Sequence, residues 1–248
     1  MSLSPTTAPF WRKVGALCAT LGVLLLASCG GGGGGEPAPP PPTTVRGFAN
    51  HGQTCAISSV LQVLMHDPEL RRTAHAALPE AKLESLHAAY ADASTDHGAF
   101  DTLYRNTTLA FIQQRHAPVG QPGSALDVTQ LWEDTAYGLN LPLSFVTSID
   151  EIAALRAKGE RVIGFVLFDK EPEVGDLPTG YASFTDLPDP DQLSALVVNT
   201  GGHFVTYAHI DSQWWELSDA SMARVDTAQL QDLVACGRQG IVFAVYRH

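Results

Sequence analysis

From Cys55 onward the apolar residues Ile57, Val60, Leu61 and Leu64 follow the i, i+3, i+4, i+7 spacing of one helix face. Thr54, just before them, is expected to cap that helix. Further helices are expected near 67–78, 80–92, 98–115 and 124–137. The period then changes. Val162 to Phe168 is an unbroken apolar run, as in a buried strand. Leu196 to Val198 and His203 to Ile210, joined by Asn199-Thr200-Gly201-Gly202, read as a hairpin. Gln213 to Leu217 continues the meander, residues 227–235 suggest a short helix, and Ile241 to Tyr246 a last strand. Helices first and antiparallel strands second predict an α+β domain, with a cleft where the two halves meet. Residues 169–192 fit neither period. They carry Asp169, Glu171, Glu173, Asp176, Asp186, Asp189 and Asp191 against Lys170, with prolines at 172, 178, 188 and 190. A loop of this length is either functional or a solvated excursion.

The start of the chain belongs to no fold. Arg12 and Lys13 form a basic region, and Val14 to Leu26 is apolar but short for a membrane span. Leu26-Ala27-Ser28-Cys29 closes it with small residues and resembles a bacterial lipobox. That resemblance implies a signal peptide over residues 1–28, cleavage before Cys29 and lipidation of its thiol; the competing reading is an uncleaved anchor. Gly30 to Gly35 and Pro39 to Pro42 make residues 29–44 an extended tether. Residues 45–248 are then the size of one compact domain.

Charge narrows the partners. Without Arg12 and Lys13 the basic count falls from 15 to 13 against 26 acidic residues, a balance of −13. Such a domain does not attract nucleic acid or anionic lipid heads, and it suits a basic ligand. Of the 4 cysteines, Cys18 leaves with the signal and Cys29 takes the lipid, so Cys55 and Cys236 remain. There is no disulfide framework, and no Cys-x-x-Cys pair to hold zinc. No cofactor is called for.

The chemistry sits in two stretches. In the first, Gly47-Phe48-Ala49-Asn50-His51-Gly52-Gln53-Thr54-Cys55, a cysteine stands at the mouth of a helix. The helix dipole and free N–H groups there favour a thiolate, and a neighbouring imidazolium favours it further. Gly52 lets the backbone approach a substrate. Asn50 can aim an amide N–H at a developing oxyanion, with the Cys55 N–H as second donor. In the second stretch, Gly201-Gly202-His203 places a histidine on a strand, after two glycines that allow a tight turn and leave the imidazole uncrowded. The next strand brings Ser218 or Asp219 beside the imidazole, to hold its tautomer and stabilise its cation. Asp219 is the expected third member because it carries charge.

Gly47 to Leu64 resembles the cysteine box of the ubiquitin-specific proteases, Gly-Leu-x-Asn-x-Gly-Asn-Thr-Cys-Tyr-x-Asn-x-x-Leu-Gln-x-Leu. Gly201 to Asp219 resembles their histidine box, Gly-Gly-His-Tyr-x-x-Tyr followed by tryptophan and an acidic pair. Asp127-Val128-Thr129-Gln130-Leu131-Trp132 is similar to the segment between, and Ile241 to Arg247 to the closing strand. The resemblance implies a papain-like fold, a helical thumb on an antiparallel β palm. It implies hydrolysis after the C-terminal glycine of ubiquitin by Cys55, His203 and Asp219, with Asn50 in the oxyanion hole and Gly52, Gly201 and Gly202 along the substrate. Ubiquitin conjugates of a host cell are then the partners of an exported, monomeric, outer-membrane lipoprotein that is surface-exposed or released. The acidic loop is expected to meet the basic ubiquitin tail.

The chain also departs from the family pattern. Gln53 stands for the usual asparagine, Ala56 for an aromatic residue and Ser58 for an asparagine. The span from Cys55 to His203 leaves no room for a zinc-bearing fingers subdomain. If Trp214 matches the family tryptophan, Ser218 takes the third catalytic position; if Trp215 does, Asp219 takes it. Two other readings use the same residues: an exported papain-like peptidase or amidase with a bacterial substrate, and a binding module whose catalytic residues have decayed.

Overall fold

The computed structural model describes residues 45–52, 54–115, 138–165, 182–200, 203–235 and 240–247. The leader, the tether, Cys29, Gln53, the helix expected at 124–137, Gly201, Gly202 and Cys236 lie outside them, as does the loop through residue 181.

The first helix, α1 (Cys55–His66), is buried at every residue except its last. A helix buried nearly all round belongs inside, and α1 lies between the first-half helices and one face of the sheet. Asp67 ends α1 and caps α2 (Pro68–Ala77), its carboxylate accepting from the N–H groups of Glu69 and Leu70. Lys82, in the left-handed region at φ 56°, separates a short 3₁₀ turn at Pro79–Ala81 from α3 (Leu83–Ala91). Asp96 caps α4 (His97–Tyr104), which runs through a π-turn at Arg105–Leu109 into α5 (Ala110–Arg115).

The strands are β1 (Leu143–Val146), β2 (Val162–Phe165), β3 (Leu193–Asn199), β4 (Phe204–Ile210), β5 (Gln213–Ser218), β6 (Ser221–Val225) and β7 (Gly240–Tyr246). They form one sheet in the order β1-β2-β7-β3-β4-β5-β6. α6 (Asp150–Ala157) connects β1 to β2, and α7 (Thr227–Ala235) connects β6 to β7. β1 lies parallel to β2 and every other pairing is antiparallel, so the sheet is mixed where a purely antiparallel one was expected. Asp211 and Ser212 both take positive φ in the two-residue β4–β5 turn, as that hairpin geometry demands. β5 turns into β6 through Asp219-Ala220, with Ser218 facing Ser221.

Both faces of the sheet are covered. Val197, Phe204, Phe243 and Val245 pack under α1 with Ile57, Val60, Leu61 and Leu64. Leu196, Val198, Val205, Tyr207 and Ala244 face the other way, against Ile152, Phe184, Leu230 and Val234. The described end of the expected acidic loop, residues 182–192, therefore differs from a solvated excursion. Ala182 bridges to Ile241, and Phe184 is buried in this second core. Arg161 fastens the helical half to the sheet: its guanidinium donates to Asp67 at 2.6 Å, to Glu69 at 2.8 Å and to the Tyr246 carbonyl at 2.9 Å.

Candidate active site

One buried hydroxyl pins α1 to β4, and a second braces α1 at its first turn. Thr206 Oγ donates to the Ser59 carbonyl at 3.0 Å, and Ser59 Oγ donates to the Cys55 carbonyl at 2.8 Å. This register sets the first residue of α1 against the first residue of β4. The backbone N–H of Phe204 hydrogen-bonds to the Cys55 thiol, so the sulfur lies beside the residue that follows His203. Thr200 N–H donates to the His203 carbonyl at 2.9 Å. His203 thus precedes β4 instead of standing on a strand, beside the start of α1.

The imidazole Nε2 of His203 is 3.0 Å from Ser218 Oγ and 3.9 Å from Asp219 Oδ2. Ser218 ends β5, and Asp219 lies in the following turn at φ 50°. Both alternatives for the third position therefore reach the same ring nitrogen, the hydroxyl directly and the carboxylate behind it. Asp219 Oδ2 also accepts from Asn50 Nδ2 at 2.9 Å. The Asn50 carbonyl oxygen in turn accepts from Thr54 N–H at 3.2 Å. Asn50, Asp219, His203 and Ser218 are linked by these contacts, and Cys55 lies beside them through the Phe204 N–H and the Asp219 charge. Gly52 is exposed at φ 83°, the left-handed region that favours glycine.

Thr54 makes no side-chain cap to α1; its hydroxyl accepts from His51 N–H at 3.0 Å and so braces the loop before the helix. The Cys55 thiol, 8% exposed, also differs from the simple thiolate picture. Burial pushes its pKa up, and the Asp219 carboxylate adds to the rise. The N–H groups of Phe204, Ala56 and Cys55 itself pull the other way with less effect. Burial likewise raises the Asp219 carboxyl, opposed first by the Asn50 hydrogen bond and then by His203.

Sequence reasoning passed over two contributors. Gly47 packs so closely on the Asp219 turn that a Cβ there would sit 2.3 Å from the Asp219 carbonyl oxygen and 2.4 Å from Ala220 Cα. Its place in the cysteine box was the available signal. His51 Nε2 meets Asp101 Oδ1 at 2.7 Å, a partner that sequence spacing cannot reveal. Among the described residues no cluster of His, Cys, Asp or Glu could hold a metal ion, and no helix is long and apolar enough to cross a membrane.

No protein-family model and no curated protein matches the chain. Solved structures do. The SAGA DUB module Ubp8/Sgf11/Sus1/Sgf73 bound to monoubiquitin is similar at a TM-score of 0.51 and 15% identity, over 83% of this chain and 70% of that one. The same module bound to ubiquitin aldehyde gives 0.51 at 12% identity, with the same coverage. At these identities the likeness is one of fold alone.

Proposed function

We propose that the chain is a papain-like, cysteine-type deubiquitinase that cuts after the C-terminal glycine of ubiquitin. The observation that carries this reading is the linked Asn50, Asp219, His203 and Ser218 beside the Cys55 thiol, at the starts of α1 and β4, in a fold like that of a ubiquitin-bound module.

Burial keeps the resting thiol neutral, so proton removal accompanies attack. With Nε2 turned to Ser218 and Asp219, Nδ1 is the ring nitrogen left to take the thiol proton. Cys55 Sγ bonds to the glycine carbonyl carbon, and the C=O electron pair moves onto oxygen. An amide nitrogen carries two hydrogens. One from Asn50 is committed to Asp219; the other serves the oxyanion together with the Cys55 N–H. Collapse of the intermediate expels the amine, which takes the proton back from His203 and leaves a thioester. Water, deprotonated by the same imidazole, then attacks the thioester and releases the ubiquitin carboxylate and the thiol. Ser218 holds the ring, and the charge of Asp219 stabilises the imidazolium.

The lipobox-like Leu26-Ala27-Ser28-Cys29 supports a lipidated, exported form whose substrates are host ubiquitin conjugates. Labelling with an alkynyl fatty acid that is lost in Cys29→Ala tests the lipid. A panel of ubiquitin and ubiquitin-like C-terminal reporters, beside unrelated peptide amides, tests the substrate. Selective turnover of ubiquitin is expected; turnover of peptide amides alone would replace the reading with a general peptidase.

A further inference from the structure

The segment that carries Asn50, from Phe48 to Thr54, is tied within itself and held on both its sheet side and its helical side. Internally, His51 N–H donates to Thr54 Oγ, and Thr54 N–H donates to Asn50 Oδ1. On the sheet side Asn50 Nδ2 reaches Asp219. On the helical side the His51 ring reaches α4, where its Nε2–H donates to Asp101 Oδ1 at 2.7 Å. Tyr104, one turn further along α4, lies 6.0 Å from the same ring, and its own ring packs edge-on against Phe48 at 4.9 Å. α4 therefore grips this segment at two points, and Asp101 and Tyr104 share the i, i+3 face that does so.

We propose that His51 and Asp101 are a positioning pair that aims the Asn50 amide at the reacting carbonyl; the claim rests on the thiol-hydrolase reading above. A charge-assisted hydrogen bond of this length, with side chains only 24% and 22% exposed, is stronger than a surface ion pair. Gly52, at φ 83°, allows the chain to pivot just after His51. Without the His51–Asp101 bond, Phe48 and Gly47 still anchor the near end of the segment, but the stretch that carries Asn50 loses its side-chain tie to α4. A shift of about 1 Å in a group that stabilises the transition state costs on the order of 10–10²-fold in turnover.

The test measures turnover of a ubiquitin C-terminal amide reporter and the ¹⁵N cross-peaks of the Asn50 side-chain amide in the intact protein. Asp101→Ala is expected to lower kcat about tenfold with KM within about twofold, and to move the Asn50 cross-peaks. Asp101→Asn, which keeps an oxygen to accept from His51, and His51→Gln, which keeps an N–H to donate, are expected to recover kcat to within about threefold of the original chain, their bonds to a neutral partner being weaker. An unchanged kcat in Asp101→Ala, or a loss in both conservative variants equal to that in the alanine variant, overturns the pair. If the unaltered chain does not turn over the reporter, the deubiquitinase reading falls, and the cross-peaks alone decide. Unmoved Asn50 peaks in Asp101→Ala then end the positioning claim, and displaced peaks uphold it.

Discussion

The Cys55 thiol sits between opposing influences: burial and the Asp219 carboxylate keep it neutral, while three backbone N–H groups favour its anion. The sum is a raised pKa. In His203→Ala, alkylation by iodoacetamide should therefore rise with pH to a midpoint above that of an ordinary cysteine. Adding Asp219→Asn should bring the midpoint down. A midpoint below the ordinary value would show that the N–H groups outweigh burial. The third member of the triad can be separated at the same scale. Asparagine tolerates the left-handed backbone of Asp219, so Asp219→Asn removes charge without strain. Its kcat should fall on the order of 10³–10⁴-fold, as when a triad carboxylate is made neutral. Ser218→Ala, which leaves the carboxylate 3.9 Å from Nε2, should lose about tenfold, the size expected of one neutral hydrogen bond. The reverse order would make Ser218 the principal partner of His203. The sequence could name both residues because they are adjacent. It could not rank them, because the ranking depends on how the Asp219-Ala220 turn curls under the imidazole.

At the scale of elements, the described helices of the first half and strands β2, β3, β4, β5 and β7 were legible from period and run length. The missed elements are short or edge-like. β1 has four residues, three of them half-exposed, and β6 alternates too weakly to stand out. The expected boundary of β5 at Leu217 hid the turn that presents Asp219 to the site. Gly47→Ala tests that turn. The atoms a methyl would meet are backbone, which cannot swing aside, so the variant should lose about 1–3 kcal/mol of stability. Urea denaturation measures this, and an unchanged midpoint would mean the turn yields freely. α1 also carries an acid-sensitive group. His66 Nε2–H donates to Tyr90 O, while Tyr90 donates to Gln62. Burial, then His87 and Arg71, lowers its pKa to about 4. The unfolded imidazole takes up a proton near pH 6.5, and the folded one resists until about 4. Its contribution to stability is full above pH 6.5 and is lost as pH falls between those values, about 3 kcal/mol in all. His66→Gln, which keeps the N–H donor, should flatten the pH dependence of the urea midpoint in that window. An identical slope in the variant would move the acid sensitivity elsewhere.

For the whole molecule, the sequence supported helices before strands and a cleft between them. It did not reveal that both sheet faces are covered, because buried strands such as Val162 to Phe165 and Leu193 to Asn199 are apolar on both sides and carry no alternation to read. Arg161, Asp67 and Glu69 are distant in sequence, and their union across the two halves is a property of the fold. The site was more legible than the architecture. A cysteine at a helix start and a histidine after a glycine pair are local signals, whereas the ties of Asn50 to Asp219 and of His51 to Asp101 are not. The central claim is that this assembly is a thiol hydrolase for ubiquitin. Ubiquitin ending in a C-terminal propargylamide tests it most directly, with the site of attachment read by mass spectrometry. One covalent adduct is expected, on Cys55, absent in Cys55→Ala and retained in Cys236→Ser. No adduct from a chain whose Cys55 still reacts with iodoacetamide, or an adduct on Cys236, would contradict it.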